Sequence, residues 1–115
     1  MALGAAFALQ AVARTLTVET RAFESVGRWD GEEFLAVLDP ADEAVASIVA
    51  ERLRVAVEAR GFEYAGRKIP LTISVGASAA VPDHPAWAHI LVHAAEDALG
   101  QAKLSGRNRS AFKVI

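Results

Sequence analysis

An α/β fold, with a single mixed sheet packed by helices, follows from three features of the sequence. Alanine-rich stretches with apolar residues at helical spacing alternate with short β-capable runs. An Asp-Gly pair, Asp30-Gly31, divides two of those runs as a hairpin turn would. Hydrophobic residues make up 53% of the 115, enough for a core without covalent staples. The implied order is helix, hairpin, helix, hairpin, helix, strand. Long helices between strands put one sheet against helices, within one domain over residues 1–115.

The first helix is predicted from about Leu3 to Thr20, where Phe7, Val12 and Leu16 recur at roughly helical spacing and no proline interrupts. Phe23–Trp29 and Glu32–Leu38 are predicted as the strands of a hairpin. A two-residue type I′ turn needs positive φ at both central positions, which Asp30 and Gly31 tolerate best. Phe34 to Leu38 is apolar on both alternating faces, the pattern of a strand covered on both sides.

Asp39 is expected to cap the second helix, with Pro40 in its first turn and Asp42 and Glu43 favouring the positive end of the dipole. Its predicted apolar stripe is Val45, Ile48, Val49, Leu53 and Ala56, and Gly61 stops it. Phe62–Ala65 and Lys68–Ala79 read as a second hairpin turning near Gly66. Pro82 and Pro85 punctuate a loop. A third helix is predicted from about Ala86 to Leu104, with Trp87 in the core and Leu91, Ala95, Ala98 and Ala102 on the same face. Ser105-Gly106 ends it, and Ala111–Ile115 closes the chain as a strand.

The composition narrows the function classes. The formal net charge is -2, so no basic excess drives binding along a phosphate backbone, and nucleic acid is not an expected partner. Cysteine is absent, which excludes disulfides and thiolate metal sites. No run of eighteen apolar residues occurs, so no membrane span is expected. The apolar stretch Met1–Val12 lacks a basic segment before it, unlike a signal peptide. These features fit a cytoplasmic protein. The mean hydropathy is positive, as for a domain with apolar surface that a partner covers. No nucleophile elbow, Gly-rich phosphate loop or zinc-finger spacing is present. His89 and His93 stand four apart on a helix with His84 nearby, but no third metal ligand is placed by sequence.

Taken alone, Glu32 and Glu33 make a solvated turn. Lys103 and Arg107 complement the dipole at a helix C-terminus, and Arg21 with Glu24 makes a surface ion pair. Three segments in order carry more. Arg28-Trp29-Asp30-Gly31-Glu32-Glu33-Phe34 resembles the signature of GGDEF (diguanylate cyclase-like) domains: Arg, an aromatic, then Gly-Gly-Asp/Glu-Glu-Phe. Leu71-Thr72-Ile73-Ser74-Val75-Gly76-Ala77 is similar to that family's Thr-Ile/Val-Ser-Ile/Val-Gly strand. Ala94 to Arg109, with Ala102-Lys103 and Gly106-Arg107-Asn108, is similar to its last helix and close. The resemblance covers essentially the whole chain.

The resemblance implies a nucleotidyl-cyclase-like fold and a place in cyclic di-GMP signal transduction. In the family the hairpin turn holds a catalytic metal and a triphosphate. Glu32 falls at the acidic metal-ligand position, Glu33 follows it in the catalytic signature, and Gly31 lies in the phosphate-binding turn. A hard cation such as Mg²⁺ takes carboxylate oxygens and bridges phosphates. Lys103 and Arg107 match residues that grip the triphosphate. Arg21-Ala22-Phe23-Glu24 sits where the family's inhibitory product site has Arg-x-x-Asp, with Glu24 one methylene longer.

The departures shape the expected function. The family's first strand, with a metal-binding aspartate, and the helix after it, with a guanine-reading asparagine, find no counterpart in these residues. A second guanine-reading aspartate aligns with Ala6, whose methyl cannot accept a hydrogen bond. Asp30 replaces the first glycine of the signature and adds a carboxylate beside the expected triphosphate. Gly100 stands where the family often has an aromatic. The expectation is a degenerate domain, inactive as this chain alone, that binds a guanine nucleotide (GTP with Mg²⁺, or cyclic di-GMP) or self-associates, as a dimer or larger homo-oligomer that covers open sheet edges. A diguanylate cyclase completed by upstream sequence, in a longer protein of which this is a fragment, is the alternative. A structural remnant that binds no nucleotide is another.

Overall fold

The alanine-rich N-terminal segment folds as α1, Ala2–Thr20, which buries Ala11, Val12, Thr15, Leu16 and Thr20 along one face. A computed structural model describes residues 2–20, 25–38, 42–80 and 87–115, the side chains of 2–7 and 25 excepted. They form two compact units, the described residues of 1–40 with 55–72, and those of 41–54 with 73–115.

In the first unit α1 packs on β1, Ser25–Asp30, and on β3, Phe62–Tyr64. The buried Thr20 hydroxyl donates to the Leu16 carbonyl at 2.6 Å, so it enters the core satisfied. β1 pairs antiparallel with β2, Glu33–Val37, and β3 with β4, Arg67–Ile69. The β3–β4 turn carries φ 53° at Ala65 and 76° at Gly66, the two positive values of a type I′ turn. The apolar β2 is half-buried and not covered on both sides as expected, and Val37 is exposed. Among the described residues β1 is its one paired neighbour, so its other edge carries no ladder there.

α2, Glu43–Arg60, begins at a cap three residues later than expected. Asp39 and Pro40 lie outside the described residues. The Asp42 carboxylate accepts from the Val45 N–H at 2.9 Å, while its carbonyl accepts the first helical bond from Ala46. The buried stripe is Ala46, Val49, Ala50, Leu53 and Val57. That corrects the expected stripe: Ile48 is 65% exposed, because two residues from Ala46 places it about 200° round the helix. Gly61, with φ 54°, closes the helix by donating to the Val57 carbonyl at 2.9 Å.

The second unit is a βαβ element. β5, Val75–Ala77, leads to α3, Trp87–Leu104, and back to β6, Ser110–Phe112, which runs parallel to β5. α3 buries Ala94, Ala98 and Ala102 at intervals of one turn. Its backbone runs close to β5 at Ala95 and Leu99. A Cβ on Gly76 would lie 2.1 Å from the Leu99 nitrogen and 2.3 Å from the Ala95 carbonyl oxygen. Trp87 was expected in the core and is 38% exposed, because it opens α3 two turns before the first buried alanine.

The expected mixed α/β fold is observed, its strands pairing as three two-stranded ladders among the described residues. The predicted strand Lys68–Ala79 divides into β4 and β5, with 70–74 in neither ladder. Pro70 stands at the break, and it has no N–H to donate. Two glycines respond oppositely to a methyl group. Gly76→Ala should destabilise by about 2 kcal/mol or more, since it meets helix backbone. Gly100→Ala, with open space around the added Cβ, should stabilise by about 1 kcal/mol. Denaturant midpoints of the two variants read both signs.

Candidate functional site

The signature residues build the tip of the β1–β2 hairpin. Asp30 pairs with Glu33, so the two-residue loop is Gly31-Glu32 and not Asp30-Gly31. The slip arises at Trp29, where the register shifts between Arg28 and Asp30 and one extra residue enters β1. Gly31 has φ 41°, and neither Asp30 nor Glu32 shares a positive φ, unlike the expected type I′ turn. Arg28 secures the turn: its Nε donates to the Gly31 carbonyl at 2.5 Å. Glu32 is exposed at the tip, and Glu33, half-buried, begins β2. Three carboxylates, Asp30, Glu32 and Glu33, thus occupy four consecutive positions of the hairpin end.

The basic residues lie in the other unit, at the end of α3. Lys103 is half-buried in the last turn, and Arg107 is exposed just beyond it. A Schellman pair closes the helix: Arg107 N–H donates to the Ala102 carbonyl at 3.0 Å and Gly106 N–H to the Lys103 carbonyl at 3.3 Å. Gly106 takes φ 123°, as the position after the helix requires. Arg107 and Asn108 follow with φ 64° and 46°, two L-residues in succession in the left-handed region.

A side-chain network that the sequence reading missed surrounds this turn. Arg54 binds both oxygens of Glu51, at 2.9 and 2.7 Å, and its Nη1 donates to the Asn108 side-chain oxygen at 2.9 Å. Ser110 in β6 donates to Glu51 at 3.1 Å. Asn108 was visible in the Gly-Arg-Asn close, but its partner is 54 positions away. The hydrogen bonds from Arg54 hold the Glu51 carboxyl below its ordinary range, against the opposing effect of desolvation.

No group of three His, Cys, Asp or Glu side chains converges to hold a metal among the described residues. The rings of His89 and His93 lie with centroids 6.4 Å apart and are tilted by 42°. His93 Nδ1 instead faces Asp97 at 3.7 Å, and Lys113 binds the same oxygen at 2.6 Å. The Lys113 hydrogen bond is the main reason the Asp97 carboxyl lies below its usual range. Arg21, Glu24 and His84 lie outside the described residues.

The acidic hairpin tip and the cationic helix end thus belong to different units of the chain. The family model described as the GGDEF domain of diguanylate cyclases matches residues 5–109, and the chain belongs to this family. It is 39% identical to diguanylate cyclase A of Treponema denticola over 101 residues, 88% of this chain and 27% of that protein. It is 30% identical to diguanylate cyclase DgcZ of Escherichia coli over 90% of this chain and 34% of that protein. The crystal structure of diguanylate cyclase SiaD in complex with its activator SiaC from Pseudomonas aeruginosa matches with TM-score 0.78 and 32% identity, covering 91% of this chain and 40% of that one. The chain thus spans about a quarter to two-fifths of the length of these relatives.

Glu51 gives the site an acid dependence. Its folded carboxyl is depressed, so its contribution to stability is full above the unfolded value, about pH 4.3, and is lost as pH falls through the lower folded value. The stability difference between wild type and Glu51→Gln should therefore be largest near neutrality, shrink as pH falls below about 4.3 and be lost below the folded value, read by circular dichroism across an acid titration.

Proposed function

We propose that this GGDEF domain binds guanine nucleotide in cyclic di-GMP signalling and does not cyclise GTP as this chain alone. The observation that carries the proposal is the end of α3, where Arg107 stands exposed, four residues after Lys103, on a turn closed by hydrogen bonds to the Ala102 and Lys103 carbonyls. Both are cations suited to phosphate oxygens, and Arg107 offers a planar fork. At the hairpin tip, Gly31 has no side chain to keep a phosphate from the backbone. Glu32 makes no hydrogen bond or ion pair with another described residue, which leaves its carboxylate available to a cation.

The donor set fits Mg²⁺ that arrives with its nucleotide. Mg²⁺ is commonly held by one or two carboxylates together with phosphates and water, and a single exposed carboxylate such as Glu32 meets that need. Bound there, Mg²⁺ would neutralise phosphate charge. Glu32 would orient it, and Asp30 and Glu33 would repel a nucleotide that came without the cation; on their own unit, Lys103 and Arg107 would pair with phosphate oxygens. Loss of cyclase activity follows from Ala6, which offers no acceptor to a guanine edge. Arg21 and Glu24 are proposed as a cyclic di-GMP site. No described helix is long and apolar enough to cross a membrane, and we place the domain in the cytoplasm with its nucleotide.

Two further readings have specific support. Cyclisation of two GTP, in a longer chain, is favoured by relatives 39% and 30% identical that are themselves named diguanylate cyclases. Self-association is favoured by the ladders, each of two strands among the described residues and so with outer edges a second copy could pair. A calorimetric titration with Mg²⁺–GTP and, in parallel, cyclic di-GMP tests the proposal, and chromatography of the GTP mixture tests cyclisation. Arg107→Ala should weaken GTP by about tenfold or more, the cost of one charge-assisted contact. Glu32→Gln should weaken it only when Mg²⁺ is present. Silence with both ligands rejects nucleotide binding, and cyclic di-GMP formed from GTP rejects the inactive assignment. Light scattering reads the oligomer.

A further inference from the structure

We propose that Arg54, through Asn108, is a positioning residue that holds the turn presenting Arg107. The inference rests on the phosphate-binding reading of Arg107 given above. Arg107 and Asn108 both lie in the left-handed region, which costs an L-residue backbone energy and persists where surrounding contacts fix it. Those contacts come from two sides. Arg54 Nη1 donates to the Asn108 side chain at 2.9 Å. From the other side, Arg109 Nε donates to the Arg107 carbonyl at 3.0 Å, and its guanidinium lies against Gly106, 2.7 Å from where a Cβ would stand.

Charge separates the roles of the three arginines. Both oxygens of Glu51 engage Arg54, whose side chain is only 16% exposed. Its charge is spent within the protein, and Ser110 further fixes the Glu51 carboxylate. Arg54 is therefore a strut rather than an anion ligand. Arg109 is turned onto its own loop. Arg107 is the guanidinium left outward, and its direction depends on the backbone that Asn108 and Gly106 adopt.

A double-mutant cycle on the full chain tests this, with Mg²⁺–GTP and inorganic tripolyphosphate as probes and calorimetry as the readout. Arg54→Gln should lower affinity for both probes by about fivefold, a coupling of ordinary size for linked residues. Asn108→Gly, which tolerates the left-handed backbone but removes the acceptor, should do the same. In the Arg107→Ala background, Arg54→Gln should cause no further loss, because nothing remains to position. Circular dichroism confirms that each variant is folded. Unchanged affinity in folded Arg54→Gln overturns the proposal, as does an equal loss with and without Arg107. Absent binding by wild type, or binding that Arg107→Ala leaves unchanged, removes the phosphate reading itself and the positioning role with it.

Discussion

The seam between α3 and β5 constrains the second unit more than any other contact. A helix backbone can approach a strand this closely only when the strand offers glycine and the helix offers alanine. Gly76 opposite Ala95 and Leu99, with Ala94, Ala98 and Ala102 along the buried face, meets both conditions. The approach fixes the height of α3 over the parallel β5–β6 pair. The helix end, the left-handed turn and the start of β6 then follow within a few residues. Ser78 Oγ adds a tie near the other end of the seam by donating to the Leu91 carbonyl at 2.7 Å. The helix that carries Lys103 is thus set by packing of small residues, and the turn beyond it by the Arg54–Asn108 hydrogen bond.

The first unit solves a different problem. Its tip must carry three carboxylates in four positions without unpairing the hairpin. Arg28 answers part of this by reaching the Gly31 carbonyl, and the bulge at Trp29 answers another part by rotating the strand end. Like charges at a strand end are tolerable where solvent screens them, and Asp30 and Glu32 are both exposed.

Much of the fold was legible. α1 and α3 appeared within about a residue of their observed ends, because alanine and helical spacing speak locally. The hairpin at the signature was also visible, but its register was not: Asp-Gly announces a two-residue loop, and nothing in the sequence says that Trp29 will be bulged. Pro70 was in view and should have divided the long second strand. The stripe of α2 was misphased because alanine counts weakly as apolar while Ile48 counts strongly, yet Ala46 and Ala50 are the buried ones. At the candidate site, Lys103, Arg107 and Glu32 were found by resemblance and spacing. Arg54 was not, since its bond to Asn108 joins residues far apart in the chain, and no local pattern encodes it.

Trp29 and Trp87 are the only two tryptophans, one in each unit, and they are 52% and 38% exposed. Both indoles already meet water in the folded chain. Their emission should therefore start red-shifted and move little on denaturation, making intrinsic fluorescence a poor gauge of folding. The same exposure makes Trp29, two residues before the tip of the acidic hairpin, a built-in optical probe for whatever settles there.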